Sequence, residues 1–107
     1  MLLIDEIKIQ VRVSKTNIGF DEGEIEPLMD AARHELILSG VSSQKVQNDK
    51  QAFELDGDKL DPLIKRAITV YVKANFGWDN PDSEKLNSSF QSLKAHLSLS
   101  GDYNAIS

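Results

Sequence analysis

Cysteine is absent from the 107 residues. That excludes a disulfide scaffold and any thiolate zinc site, and it fits assembly in a reducing cytoplasm. Histidine is nearly absent too. His34 and His96 are separated by 62 positions, and neither has a second ligand at the i, i+4 spacing with the flanking acid of a metalloprotease helix. The six glycines, Gly19, Gly23, Gly40, Gly57, Gly77 and Gly101, are all isolated, so nothing resembles a phosphate-cradling loop. No apolar run approaches the ~20 residues needed to span a bilayer. Met1-Leu2-Leu3-Ile4 runs directly into Asp5-Glu6, which is not the pattern of a signal peptide. Ser88, Ser89 and Ser92 have no placed base. Glu54 to Asp61 comes nearest to a calcium loop, yet lacks the twelve-residue spacing and terminal glutamate. It reads as a polar turn leading into a helix cap. Carboxylate pairs occur, but nothing marks a buried dyad. The expectation is no enzyme, no metal and no cofactor.

What is present is modest apolar content and an uneven charge. A chain of this length is one domain, residues 1–107. Its 40% hydrophobic content suits a small core that is marginally stable alone. Residues 1–57 hold eleven acids and six bases, whereas residues 58–107 hold six of each. The acid concentrates in Asp21, Glu22, Glu24, Glu26 and Asp30. With a net charge of −5, the chain is not expected to grip DNA by neutralising phosphates.

The most legible stretch runs from Asp58 to Asp102. In LDPLIKRAITVYVKANF the residues Leu60, Leu63, Ile64, Ala67, Ile68, Tyr71, Val72 and Phe76 recur at three- and four-residue steps. That spacing predicts a helix over 60–76 with one buried face. Asp61 can cap it, and Pro62 loses no N–H that the first turn would use. Gly77 is a stop expected at positive φ. Asn80 and Pro81 then start another helix, 81–97, as cap and first-turn proline. Asp82 and Glu84 put negative charge in its first turn. Leu86, Phe90, Leu93 and Leu97 form its stripe. FGWDNP is therefore a hinge of about four residues. Trp78 reads as a wedge packed under that hinge; the other reading is an exposed anchor for a partner.

AITVYVKANFGWDNPDSEKL followed by SFQSLKAHLSLSGDY resembles the C-terminal half of the small head–tail connector (DNA-packaging adaptor, head completion) proteins of tailed bacteriophages. LIDEIKIQVRV is similar to that family's short opening helix, and LMDAARHELILSGV also carries an echo. The resemblance covers about two thirds of the chain. No one motif in it is chemically diagnostic; the order and spacing of helices carry it.

The first half is less regular. Ile7, Ile9, Val11 and Val13 alternate with Lys8, Gln10 and Arg12, a strand pattern. Ile4, Ile7 and Val11 also fit a helix face. A strand needs a partner, and no other stretch offers one. A short helix over 4–13 is preferred, and the resemblance implies the same. A second helix is expected over 21–39. Asp21 with Glu24 makes an acidic capping box, and Phe20 with Ile25 has staple spacing. Ile25, Leu28, Met29, Ala32 and Leu36 form its stripe. Pro27 is awkward there, resolved by a kink near Gly23 or by a start at Glu26-Pro27. Ser39-Gly40-Val41 is the stop, with Val41 folding back on Leu36.

Residues 41–57 form a long polar loop, with a short helical turn expected near Gln44–Asn48. Phe53 and Leu55 either pin the loop to the bundle or meet a neighbouring subunit. Residues 98–107 form an extended tail in which Leu99, Asp102, Tyr103 and Ile106 are candidate portal or subunit contacts. The fold expected is an all-α four-helix bundle with a long loop between helices two and three.

The resemblance implies a structural virion protein at the head–tail interface, assembled in the host bacterial cytoplasm. It implies a ring homo-oligomer, a dodecamer in the virion, that sits under the portal protein. Such a ring extends the DNA channel and docks the tail or a stopper/completion protein, away from any membrane. DNA would pass without specific binding. Asp21, Glu22, Glu24 and Glu26 are candidate channel-facing acids, since like charges repel and no counterions are released. The other class of function is a small helical partner-binding or regulatory domain without catalysis. Its mark would be a basic recognition helix, and Lys65, Arg66 and Lys73 are few and diluted in sequence.

Overall fold

Among the described residues, four α-helices and one 3₁₀ turn form in the order α1 (Leu3–Ser14), α2 (Glu22–Leu38), the turn Ala52–Glu54, α3 (Pro62–Asn75) and α4 (Ser83–Leu99). The computed structural model describes residues 1–14, 22–76 and 81–99, with the side chains of 11–14 and 22–24 not described. No β-strand occurs among the described residues; Leu2 and Asp56 form an isolated antiparallel bridge. The all-α expectation holds, and each helix lies within two residues of its predicted span.

The central element is α3. Asp61 caps it, its side chain accepting from the Leu63 amide at 2.9 Å, with Pro62 in the first position. Its stripe is buried as the spacing requires: Ile64, Ala67, Ile68 and Val72 are inside, whereas Arg66 is exposed and Lys65 and Lys73 are half-buried. Truncating such a buried isoleucine to alanine removes about 2–5 kcal/mol. Against this side pack Leu3 and Ile7 of α1, Ile25, Met29 and Leu36 of α2, and Phe90 and Leu97 of α4. The α3–α4 seam is locked by Tyr71 and Phe90, edge to face with centroids 4.9 Å apart. At its corner the Ser83 hydroxyl donates to the Ala74 carbonyl at 2.8 Å.

The two patterns in residues 3–13 are decided by burial. Ile7 is fully buried and Ile9 is 56% exposed, although a strand would point both to one face. A helix turns them to different sides and leaves Leu3, Ile4 and Ile7 inside.

In α2 the start at Glu26-Pro27 is not observed. The helix runs unbroken from Glu22, with Pro27 inside it. Asp21 and Phe20, and with them the proposed cap and staple, lie outside the described residues. The end matches expectation closely. Gly40 has φ +108, its amide donates to Ile37 O at 3.0 Å, and the Val41 amide donates to Leu36 O at 3.0 Å. These are the two bonds of a Schellman cap, and Val41 and Leu36 are both buried behind them.

Helix α4 begins later than predicted. Pro81 and Asp82 form a turn, Ser83 is the first helical residue, and the Leu86 amide bonds to Asp82 O at 2.9 Å. Asp82 therefore holds the position expected of Asn80. Gly77, Trp78, Asp79 and Asn80 lie outside the described residues, so the hinge expectations for Gly77, Trp78 and Asn80 do too. The far end continues to Leu99, two residues into the expected tail.

Candidate functional site

The sequence-predicted residues are spread over separate elements rather than converging on one cleft. Leu55 is a correction to the expectation of a subunit contact. Its side chain is fully buried, and its carbonyl accepts from the Leu3 amide at 2.8 Å. The 3₁₀ turn explains the split between neighbours: it rotates Ala52 and Leu55 inward and leaves Phe53 47% exposed. Phe53 thus remains an available apolar contact at the base of α1 and α2, which the turn touches. Leu99 ends α4 at 86% exposure, and Leu38 ends α2 at 69%. Leu38 was not singled out from sequence, because it falls just beyond the buried stripe. Asp102, Tyr103 and Ile106 lie outside the described residues.

Of the acidic run, Glu26 is half-buried and Asp30 exposed, both on α2. Glu22 and Glu24 stand in the first turn of the same helix, and Asp21 is outside the described residues.

The long loop is held by a residue that composition hides. Arg33 is 4% exposed, although α2 carries it on the edge of its apolar stripe. Its Nη1 donates to Gln47 O at 2.8 Å and Lys50 O at 3.0 Å, and its Nη2 pairs with Asp30. A guanidinium offers five donors in a rigid fork, so one side chain can gather carbonyls and a carboxylate together. The bonds fold residues 47–50 onto α2, with Val46 fully buried beneath. Gln44–Asn48 is a set of turns, not a helix, and Gln47 takes positive φ, 53°. The sequence signal was available: position 33 lies four after Met29 and three before Leu36, where an apolar residue is expected.

The chain start is tied to the other end of the loop. Gly57 donates to Met1 O at 2.9 Å. A β-carbon at Gly57 would displace the Glu6 carboxylate and press on Met1 O, so glycine suits this close approach. Glu6 is held in place by Lys65, 3.1 Å away. The Met1 ammonium sits 2.7 Å from Asp58. Their hydrogen bond, the largest cause on each side, raises the amine's pKa and lowers that of Asp58.

The outward side of α3 forms the floor and one wall of a surface groove of about 420 Å³. Lys65, Arg66 and Lys73 rim it, Glu6 of α1 stands on one side, and Leu86 and Ser89 of α4 on the other. The three cations look diluted along the sequence, but helical spacing gathers them on one face. Among the described residues no group of three or more His, Asp or Glu side chains converges as a metal site, and no helix is long and apolar enough to cross a membrane.

A family model described as phage connector protein matches residues 3–104. Comparison with curated proteins and with solved structures finds no match.

Proposed function

The chain belongs to the phage connector protein family, and we propose that it acts as a ring-forming adaptor between the portal and the tail of the particle. The observation that carries this reading is the match across residues 3–104, which takes in all four helices. In this role the protein is structural rather than catalytic. Copies form a ring under the portal, extend the DNA channel and offer a docking surface to the tail or a completion protein. Like charge on the ring and on DNA supports passage without retention: the chain carries −5 and the duplex is a polyanion.

The portal contact is assigned to the C-terminal segment that begins at Leu99, the last residue of α4, with Phe53 as a second apolar contact. An almost fully exposed leucine at a helix end contributes nothing to the monomer core. A ring presents many copies of this contact at once, which multiplies a weak single contact. The test is co-sedimentation with portal-bearing heads. The full chain should sediment with the heads, and a chain lacking residues 99–107 should not, while keeping its helicity and melting temperature. Incorporation of the truncated chain at normal levels would move the contact to Phe53 or the helix faces. Absence of the full chain from the heads would refute the connector reading and favour a separate partner-binding domain.

A further inference from the structure

Asp56-Gly57 is the one step in the chain at which an aspartate precedes a glycine. In such a step the peptide nitrogen lies within reach of the preceding carboxyl, and glycine puts no side chain in the way of ring closure. The fold nevertheless uses both residues. Asp56 Oδ1 accepts from the Asp58 amide at 3.0 Å, and Asp56 O accepts from the Lys59 amide at 3.1 Å, so both shape the turn before α3. Gly57 is buried against Met1 O and the Glu6 carboxylate, and a β-carbon there would displace that carboxylate. The reactive pair therefore stands where the turn uses the acid and the close approach suits the glycine.

Backbone pairing holds the pair closed. The Gly57 amide donates to Met1 O at 2.9 Å and the Leu3 amide to Leu55 O at 2.8 Å, which keeps Asp56 extended in its bridge with Leu2. The Asp56 carboxylate is meanwhile turned to the Asp58 amide, and Met1 is anchored by its ammonium, 2.7 Å from Asp58. We propose that Asp56-Gly57 is a site of backbone isomerisation, kept closed by the pairing of residues 1–3 with residues 55–57. When the pairing opens, the Gly57 nitrogen attacks Asp56 Cγ. The amide hydrogen and the carboxyl hydroxyl leave as water, and a five-membered imide forms. Water then adds at one carbonyl or the other. Addition at Cγ restores aspartate. Addition at the main-chain carbonyl leaves Gly57 bonded to Cγ, an isoaspartate with the chain running through Cβ. No oxidant, reductant or cofactor takes part. The extra backbone atom puts the Gly57 amide out of register with Met1 O, so the pairing does not re-form and the change runs one way. The inference is independent of the connector reading, and its test needs the chain alone.

The full chain is incubated folded and, in parallel, unfolded in urea. Tryptic peptide 51–59 is then sequenced by electron-transfer fragmentation, which separates isoaspartate at position 56 from isoaspartate at position 58. Isoaspartate at 56 should build up at least about tenfold faster in the unfolded chain. Asp58→Asn releases the exposed Met1 ammonium and should raise the folded rate by about two- to fivefold, each chain being referred to its own unfolded rate. Amide exchange at Gly57 should rise by the same factor, because both processes need the same opening. Should Asp58→Asn lower helicity, wild type in high salt loosens the same pair and takes its place. Equal rates in the folded and unfolded chain overturn the inference, as does an unfolded chain without isoaspartate at 56. An unchanged folded rate in Asp58→Asn overturns it too. So does faster isomerisation with unchanged Gly57 exchange, since ring closure would then not wait for the pairing to open.

Discussion

Replacing Gly40 with alanine isolates a backbone cost. A β-carbon built there meets nothing within 4 Å, so the substitution creates no clash. What remains is conformation. Gly40 has φ +108, and an L-residue at positive φ costs about 1–2 kcal/mol. The value also lies beyond the left-handed well near +57°, so alanine would rotate toward that well. The rotation pulls on the Gly40 and Val41 amides, both 3.0 Å from their acceptors, and loosens the packing of Val41 on Leu36. Alanine restricts the unfolded chain, but that gain of about 0.4–1 kcal/mol accrues only where the native angles suit it. The net expectation is a loss of about 1–1.5 kcal/mol. For a domain of this size each kcal/mol shifts the melting temperature by about 4–8 °C. Thermal and urea unfolding followed at 222 nm measure it, with Gly40→Asn expected to lose less because asparagine tolerates positive φ. Equal or higher stability of Gly40→Ala would refute the cap as the structure draws it.

Arg33→Met keeps the stem and removes the donors, leaving Gln47 O and Lys50 O without their partner; a loss of about 2–4 kcal/mol and faster amide exchange across 44–51 are expected. An unchanged exchange rate there would show that the loop is held by Val46 alone. Gly57→Ala should displace the Glu6 carboxylate from Lys65 and destabilise the fold by about 1–2 kcal/mol; in a double-mutant cycle Glu6→Ala should relieve part of that loss, and strict additivity would contradict the close approach. The Met1–Asp58 pair makes a pH window. The raised amine pKa contributes stability that is complete below the amine's ordinary value and is lost as pH rises through the raised one. The lowered Asp58 pKa contributes stability that is complete above the ordinary carboxylate range and is lost as pH falls through the lowered one. Asp58→Asn should return the amine to its ordinary titration by NMR, and the stability difference from wild type should fade at both extremes of pH and in high salt.

The residues alone determined the helices and where most of them stop. Asp61-Pro62 and Ser39-Gly40-Val41 are local devices whose bonds close within one turn, so neighbouring residues suffice to specify them. The periodicity of α3 named its buried face for the same reason. Residues 3–13 needed more, since their pattern satisfied both a strand and a helix, and only the absence of a partner strand, with the family resemblance, favoured the helix. Tertiary structure decided what depends on distant groups. Arg33 reads as a surface charge until the loop fourteen residues away presents two carbonyls to it. Phe53 and Leu55 are equivalent as residue types, and a 3₁₀ turn sends one outward and the other into the core. Gly57 looks like an ordinary turn glycine until Met1 and Glu6 are brought against it. The groove on α3 exists only because α1 and α4 flank it, since charge along a sequence becomes charge on a surface only when helices choose which sides to bury.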